Sequence, residues 1–440
     1  MNHSSRPSRR SRRRAVALTC SVFALVLSAG CAGDSSGGNG KNGKTVIRFN
    51  WWGSDVRHEQ TKQMIALFEK EHPNIDVEPQ YSNWDDYWNK LSTSAAAGDM
   101  PDVLQITDPF MYSYIDNGQL MDLKKVKDVL NTDKLPANSM AVTTVKGGLY
   151  GVPAGDSAFG VAVDPAAFKK AGVPVPDDTK WSWDDYVKTA TAIAESKSKL
   201  VGSVLPLYPN MVGPWLRQHG EDWWTEDGSE IGFTEKNMAG YWEWVLKLRD
   251  SGGTTSPEAA VEALASGAGI EQNLVAQHKA AMTEMSVTQL GALETASGRA
   301  TKLLLFPGED GAAQVGAYTK PGVFYGASAR TEHPKEAAQL LDFLVNSPEA
   351  AKIGKFDRGV PVNPDVLKAI TPELSPAEKR IADYLGRANA LKPTPVHKAN
   401  PKAGPAVPEI FQRLNEDVLF DRLSPKKAAE KLISEIKSQL

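Results

Sequence analysis

The sequence is poor in cysteine. Only Cys20 and Cys31 occur among 440 residues, and both lie close to the amino terminus. The rest of the chain therefore cannot form a disulfide, a cysteine-based metal site or a cysteine nucleophile. The seven histidines show no metal-ligand spacing, and H-E-x-x-H, G-x-S-x-G and P-loop motifs are all missing. We expect no cofactor and no resident metal.

Membrane-length apolar runs are also missing after Lys44. Before it, residues 1–14 contain six arginines and no acidic residue, and Ala15 to Ser28 is largely apolar. Those 14 residues are shorter than the roughly 20 that span a bilayer, so the pattern predicts an export signal. Loss of the six arginines takes the formal charge from −3 to −9. This acidic balance argues against a nucleic-acid partner.

The end of the leader predicts a lipid anchor. Leu27-Ser28-Ala29-Gly30-Cys31 resembles a bacterial lipobox, although Ser28 stands where leucine is preferred. Residues 32–44 are rich in glycine and serine and predict a flexible tether with a reach of about 20 Å. We therefore predict a signal peptide over 1–31, lipidation of Cys31, and anchoring to the outer face of the cell membrane. Ordinary cleavage with an incidental Cys31 is the alternative, and the choice between general secretory and twin-arginine export stays open.

Beyond the tether, strand and helix patterns alternate. We predict a strand ending at Trp51-Trp52, then a helix at 55–71, a strand at 75–81, a helix opening at Trp84, a strand at 102–107, and helices at 112–123, 334–346 and within 407–440. This alternation predicts parallel sheet covered by helices. The roughly 395 residues after the tether are enough for two lobes.

Two carboxylate pairs keep a glycoside hydrolase under consideration. Asp85-Asp86 and Asp184-Asp185 both open predicted helices within the repeated tetrapeptide W-D-D-Y. A hydrolase needs two carboxyl groups on opposite sides of the scissile bond. Helix capping is the simpler interpretation, because Ser182 and Asp185 have capping-box spacing.

Short motifs in a fixed order resemble the family 1 extracellular solute-binding proteins of ABC importers, the maltose-binding-protein-like group. They include V-I-R-F-N-W-W-G at 46–53, F-E-K-E-H-P-N-I-D-V at 68–77, A-A-A-G-D-M-P-D-V at 95–103, D-N-G-Q-L-M-D-L at 116–123 and G-G-L-Y-G-V-P at 147–153. The resemblance implies an α/β fold of two lobes with a ligand cleft between them. It places 45–153 and 307–346 in the N-terminal lobe, and 154–306 and 347–440 in the C-terminal lobe.

The resemblance also implies a function without chemistry on the ligand. Binding would close the lobes by hinge motion, and the closed form would deliver its ligand to the membrane permease subunits. We expect a monomer. The amino-terminal W-W-G-S-D motif is similar to a subset of the family that takes up oligosaccharides.

A sugar ring offers an apolar face to tryptophan and a rim of hydroxyls to carboxylates, amides and arginine. The candidate ligand-binding residues are Trp51, Trp52, Ser54, Asp55, Trp84, Asp108, Asp156, Trp215, Trp223, Trp224, Met285, Ser286 and Arg358. Core packing is the alternative for Trp51 and Trp52, and holding the hinge is the alternative for Arg358. A tryptophan that the family pattern places near Thr288 is absent, so Met285 and Ser286 stand in its place.

Other solutes stay open at this point. A polyamine or another cation would need aromatic rings together with several carboxylates, and a phosphate ester would need a basic pocket or a glycine-rich helix start. The eleven tryptophans and the mixed polar residues favour a neutral sugar.

Lipidation of Cys31 is directly testable. Cells that express the full chain and are fed radioactive palmitate should produce a labelled protein, because the diacylglyceryl group attaches to the cysteine thiol. Cys31→Ser should abolish the label, whereas Cys20→Ser should keep it. Label that survives Cys31→Ser would contradict the prediction.

Overall fold

The structure is a computed structural model that describes residues 43–53, 55–265, 270–308 and 316–440. The predicted signal peptide, Cys31 and Ser54 lie outside these residues. Within them, no helix is both long enough and apolar enough to cross a membrane.

Strands and helices alternate through the described chain. The strands are β1 (Thr45–Trp52), β2 (Ile75–Ser82), β3 (Val103–Ile106), β4 (Thr144–Val145), β5 (Gly148–Leu149), β6 (Val152–Ser157), β7 (Phe159–Val163), β8 (Val201–Ser203), β9 (Ala280–Ser286), β10 (Lys302–Leu304) and β11 (Lys320–Ala327). The helices are α1 (Asp55–Glu71), α2 (Trp84–Ala97), α3 (Asp108–Asp116), α4 (Ala137–Ala141), α5 (Pro165–Ala171), α6 (Trp183–Glu195), α7 (Val212–Gln218), α8 (Glu235–Asp250), α9 (Pro257–Ala265), α10 (Leu290–Ser297), α11 (Pro334–Asn346), α12 (Pro348–Gly354), α13 (Pro364–Ile370), α14 (Pro376–Ala390), α15 (Val407–Leu419) and α16 (Pro425–Lys437).

Two larger sheets organise most of these elements, and β4 pairs with β5 in a separate two-stranded sheet. The first has the order β2-β1-β3-β11-β6, with β1 parallel to β2 and β3, and β11 antiparallel to β3 and β6. The second has the order β10-β7-β9-β8, with β7 antiparallel to β10 and β9. Only Ala158 separates β6 from β7, so the chain passes from one sheet to the other there.

Most of the predicted elements are confirmed. α1 and α11 have the predicted bounds, and the Ser182–Asp185 capping box opens α6. The predicted helix at 112–123 is wrong. α3 begins at Asp108, because Pro109 fits the first turn of a helix, where its missing N–H is not needed.

The predicted lobe boundaries lie close to the places where the chain passes from one sheet to the other. β6 continues to Ser157 in the first sheet, and Ala350 of α12 packs with Met64 in the core of that sheet. These elements extend the first lobe a few residues past the predicted boundaries at 153 and 346. The division into whole lobes stays a prediction.

The second lobe is built around a large aromatic core. It includes Trp183, Trp242, Trp244 and Phe411, and Trp242 stacks on Phe411 with ring centroids 5.4 Å apart. The indole N–H groups of these three tryptophans donate to Gln218 Oε1, Asn415 Oδ1 and the Trp183 carbonyl, respectively. These hydrogen bonds offset the cost of removing the indole N–H groups from water.

A buried ion pair joins α7 to the loop that follows it. The Arg217 and Asp222 side chains are 1% and 4% exposed, and Nη1 lies 2.9 Å from Asp222 Oδ2. Arg217 also donates to the carbonyl and hydroxyl of Thr394. The pair therefore attaches the 394–398 segment to the second lobe.

We expect Asp222→Ala to lower the free energy of unfolding by about 3–5 kcal/mol, because Arg217 keeps a buried charge without its counter-ion. Urea denaturation measures the loss. The double variant Arg217→Met/Asp222→Ala should recover much of it, since it removes both charges. Asp365→Ala, which breaks an exposed pair with Lys134, is the control and should have little effect. A small effect of Asp222→Ala would contradict the expectation.

Candidate functional site

One edge of the first sheet collects several of the predicted residues. β1 ends at Trp52, β3 ends just before Asp108 and β6 ends at Ser157, all at this edge, while the antiparallel β11 begins there at Lys320. Because β6 leads directly into β7, this edge adjoins the second lobe. Ligands of open α/β sheets bind outside the carboxyl ends of the strands.

An aromatic platform, consisting of Trp52, Trp84, Trp88 and Phe110, lies at this edge. Trp84 is 44% exposed, whereas Trp52 is 7% exposed and packs at 90° against it with ring centroids 5.1 Å apart. Trp88 stacks on Phe110 at 3.8 Å, and Phe110 also meets the Trp84 ring edge to face. The Trp84 ring is therefore held by its neighbours and keeps a free surface.

Trp51 does not share this surface. Its side chain is fully buried, and its Nε1 donates to His58 Nδ1 at 3.1 Å. Burial lowers the pKa of His58, which keeps the ring neutral and Nδ1 free to accept. Trp51 also stacks on Tyr81 at 5.3 Å. The ligand contact predicted for Trp51 is therefore corrected to core packing, because no part of the ring is open to a ligand.

Polar groups lie beside the platform. The Asp108 carboxylate accepts from Lys320 Nζ at 2.9 Å, which joins the first turn of α3 to the start of β11. Asp55 is exposed in the first turn of α1. Phe110 and Lys320 were not among the residues predicted from sequence; the position of Phe110 in the first turn of α3 was the available signal.

The crossing between the sheets contains Asp156. Its backbone N–H donates to Val360 O at 2.7 Å, and Val360 N–H donates back to Asp156 O at 2.8 Å. The two crossing segments touch at Gly155 and Gly359, where a Cβ on Gly155 would lie 2.5 Å from the Gly359 backbone. Gly359 has φ +111°, a conformation that favours glycine. We name this contact the crossing bridge.

The Asp156 carboxyl is buried beneath α4. Its Oδ2 accepts from Ser139 Oγ at 2.9 Å, while Oδ1 has no hydrogen-bond partner among the described residues. Burial raises its pKa to about 6, and the Ser139 hydrogen bond opposes that shift. The side chain therefore acts inside the crossing in this structure.

Arg358 holds the second crossing segment to the first lobe. Nε donates to Gln105 Oε1 and Nη2 donates to Thr61 Oγ1, each at 2.8 Å. Gln105 in turn donates to the Trp52 carbonyl at 3.3 Å. The side chain is buried and fully engaged. Its predicted ligand contact is therefore corrected to the hinge-holding alternative.

The second-lobe tryptophans are mostly core residues. Trp215 is 9% exposed, and its Nε1 donates to Asn237 O at 2.9 Å between α7 and α8. Trp224 is 5% exposed, and its carbonyl accepts from His397 Nδ1. Trp223 is partly buried against Phe233. Trp215 and Trp224 are therefore largely buried, and their ligand contacts stay predictions.

Met285 and Ser286, at the end of β9, have different surroundings. Met285 is 5% exposed and packs in the core, and its ligand contact stays a prediction. Ser286 Oγ lies 3.3 Å from Ser157 Oγ and 2.9 Å from Thr288 Oγ1. Hydroxyl groups from both sheets therefore meet at the crossing, beside the edge that carries the platform.

A cavity of about 890 Å³ opens between α4 and the second lobe. It is lined by Ala141 and Val142 on one side, and by the 225–227 turn and the 394–398 segment on the other. Lys398 Nζ donates to Thr144 O at 3.1 Å across this space. The volume lies in the range of small-molecule sites. Sequence reasoning missed this cavity, because its walls are loops without a motif.

Comparison with known proteins gives consistent findings. The sequence model described as "Bacterial extracellular solute-binding protein" matches residues 63–380. An uncharacterized lipoprotein in the oleD 5' region of Streptomyces antibioticus is 23% identical over 395 residues, which cover 87% of this chain and 83% of that protein. The melibiose/raffinose/stachyose-binding protein MelE of Bacillus subtilis is 28% identical over 192 residues, 43% of this chain and 42% of MelE.

A solved structure shows the same fold. An extracellular solute-binding protein family 1 structure from Alicyclobacillus acidocaldarius superimposes with a TM-score of 0.73 at 26% identity, covering 90% of this chain and 98% of that one. The predicted two-lobe α/β fold is confirmed by this likeness.

The buried Asp156 predicts a distinctive pH dependence. Its pKa is raised from 3.8 to about 6 in the folded protein, so between these values the folded state binds more protons than the unfolded state. Its contribution therefore makes stability fall as pH rises. The wild-type protein should therefore lose about 2.4 kcal/mol of stability through this group between pH 4 and pH 7, and Asp156→Asn should abolish that loss.

Urea denaturation of wild type and Asp156→Asn across this pH range measures the difference. Asp76→Asn, at an exposed position of β2, is the control and should follow the wild-type profile. Parallel profiles for wild type and Asp156→Asn would show that the carboxyl does not titrate in this way.

Proposed function

This chain belongs to the bacterial extracellular solute-binding proteins, since their model matches most of its length, and we propose that its solute is a sugar or oligosaccharide. In this proposal the two lobes close around the saccharide, and the closed form delivers it to the permease subunits of an ABC importer. The chain itself binds and releases its ligand unchanged.

The exposed ring of Trp84 is the observation that carries the proposal. Its ring is 44% exposed, yet it is held in place by Trp52 and Phe110. A fixed aromatic ring with a free face suits the apolar C–H face of a sugar, and it loses little conformational entropy on binding. The Asp108–Lys320 pair at the same sheet edge offers groups that hydrogen-bond to hydroxyls.

The crossing bridge supports closure by rotation of the lobes. Paired backbone hydrogen bonds between Asp156 and Val360 hold the two crossing segments at a fixed spacing. A rotation about these segments changes the gap that contains the cavity while leaving both sheets intact. Lys398 and Thr144, which now meet across that gap, would separate when the lobes open.

Attachment to the cell surface completes the proposal. The lipobox-like sequence before Cys31 and the glycine-rich segment 32–44 would hold the receptor near its permease. The Streptomyces antibioticus relative is described as a lipoprotein, which supports this arrangement for a similar chain. The Bacillus subtilis relative is described as a binder of melibiose, raffinose and stachyose, which supports a saccharide ligand.

The carboxylate pairs give the hydrolase alternative little support. Asp185 belongs to the capping box of α6, and Asp184 pairs with Lys247 at 2.7 Å. The Asp86 backbone N–H and carboxylate both bond the side chain of Asn83, which caps α2. These carboxylates lie in the first turns of helices, where Asp185 and Asp86 take part in capping.

A thermal-shift screen across mono- and oligosaccharides tests the proposal. A sugar that binds the folded state at 100 times its Kd should stabilise it by about 2.7 kcal/mol. We expect at least one sugar to raise Tm, with no product detected by chromatography after prolonged incubation. Failure of every sugar, stabilisation by a polyamine or phosphate ester alone, or hydrolysis of the ligand would contradict the proposal.

We expect Trp84→Ala to weaken binding of that sugar about tenfold or more, equivalent to about 1.4 kcal/mol, because the stacking surface is lost. Calorimetric titration measures the change. The unfolding free energy should change little, since Trp84 is 44% exposed. Trp51→Ala is the matched control: its fully buried ring predicts a loss of about 3–5 kcal/mol of stability with near-normal affinity in the folded fraction. The reverse pattern would exchange the roles of the two tryptophans.

A further inference from the structure

The Glu284 carboxyl lacks a counter-charge near the junction of the two sheets. Its Oε2 atom is shielded from solvent and has no hydrogen-bond partner among the described residues, whereas the residue as a whole is only partly buried. None of the ion pairs in the described chain includes it. A buried carboxyl oxygen without a partner is costly and calls for an explanation.

The position of Glu284 relates it to the crossing. It pairs with Val161 of β7, two residues before Ser286 on β9. Ser286 meets Ser157 where the chain passes between the sheets. Two residues of strand span about 7 Å, so Glu284 lies one step inside the second lobe from this junction.

The described groups that interact with Glu284 are uncharged. The Asn210 side chain, in the 3₁₀ turn Pro209–Met211, hydrogen-bonds to its carboxyl. Burial raises the pKa of Tyr186 on α6 and of Tyr241 on α8, and the Glu284 charge adds to both shifts. Burial raises the pKa of Glu284 to about 8, and Asn210 opposes the shift. The internal residues outside the description, Ser54, 266–269 and 309–315, include no lysine, arginine or histidine that would supply a cation.

Two cations of the described chain already have counter-ions of their own. Lys320 pairs with Asp108, and Arg217 pairs with Asp222. Asp156, in contrast, has an unpartnered Oδ1 and accepts only from Ser139. Glu284 and Asp156 are thus two shielded carboxyl groups without counter-ions among the described residues, and a positively charged ligand group would supply one.

We propose that the ligand is a saccharide bearing a basic amine, and that the ammonium group pairs with Glu284. This rests on the proposed sugar-binding function and narrows it to one chemical class. An ammonium supplies N–H donors to the shielded oxygen and a charge to the ionised carboxylate, which a hydroxyl does not. Tyr208, 45% exposed and two residues before Asn210, adds an aromatic ring on the same turn.

Matched sugars test this assignment. Each series keeps one carbon skeleton and presents a hydroxyl, an amine or an acetamide: glucose, glucosamine and N-acetylglucosamine; the galactose equivalents; and the cello-, chitosan and chitin tetrasaccharides. By calorimetry at pH 7, the amine member of at least one series should bind tenfold or more tighter than both of its neutral matches. Glu284→Gln should abolish that preference while changing affinity for the neutral members less than threefold.

Proton release gives a second, independent readout. Free Glu284 is largely protonated at pH 7, because its pKa is about 8. Pairing with an ammonium favours the carboxylate, so the carboxyl proton passes to the buffer. A sugar amine that is already protonated at pH 7 should therefore bind with net proton release, up to about one proton per ligand, as measured by titration in buffers of different ionisation enthalpy. A sugar amine that is neutral at pH 7 accepts the carboxyl proton instead and lowers the net release. Neutral sugars and Glu284→Gln should show no such release.

The controls separate the possible failures. Glu262→Gln, at an exposed position of α9, should retain the amine preference and the proton release. Sugar binding without an amine preference would overturn the inference and leave the proposed function standing. Loss of the preference in Asp156→Asn, with its retention in Glu284→Gln, would also overturn it. Absence of binding to every sugar would contradict both. Should Glu284→Gln fail to fold, proton release by the wild-type protein still decides the matter.

Discussion

The paired hydrogen bonds between Asp156 and Val360 are the constraint on which the rest of the structure depends. They fix where two segments pass between the sheets, and Gly155 and Gly359 allow the backbones to approach closely enough for the bonds to form. Arg358 then anchors one of these segments to Gln105. This contact fixes the spacing of the two crossing segments, and the Lys398–Thr144 hydrogen bond adds a second connection across the gap.

Much of the fold could be predicted from sequence because its signals are local. Helix periodicity gave the bounds of α1 and α11, and cap chemistry located the start of α6. The placement of the tryptophans required the third dimension. Neighbouring strand residues point to opposite faces, and a parallel sheet is covered on both faces. Trp51 and Trp52 therefore belong to different core clusters. Only the packing of Trp84 against Trp52 shows that Trp52 is the one near the exposed aromatic surface.

The isolation of Glu284 lay beyond sequence reasoning for a related reason. A carboxylate is recognised in sequence by its type, but the lack of a counter-ion depends on every element packed around it. Here the described groups that interact with Glu284 are Tyr186 of α6, Tyr241 of α8 and Asn210, and all three are uncharged. Arg217 and Lys320 are committed to Asp222 and Asp108. Under the proposal of an amine ligand, specificity depends on the Glu284 carboxylate, which has no counter-ion among the described residues, because these two cations are already paired.

The unequal burial of the tryptophans has a spectroscopic consequence. Trp51, Trp183 and Trp242 are at most 1% exposed, whereas the Trp84 ring is 44% exposed at the edge of the cleft. An indole in water emits at longer wavelength than a buried one and is quenched by dissolved iodide. The red edge of the emission band, and the fraction of it that iodide reaches, therefore come mainly from Trp84. The protein therefore carries its own optical probe at the carboxyl edge of the first sheet.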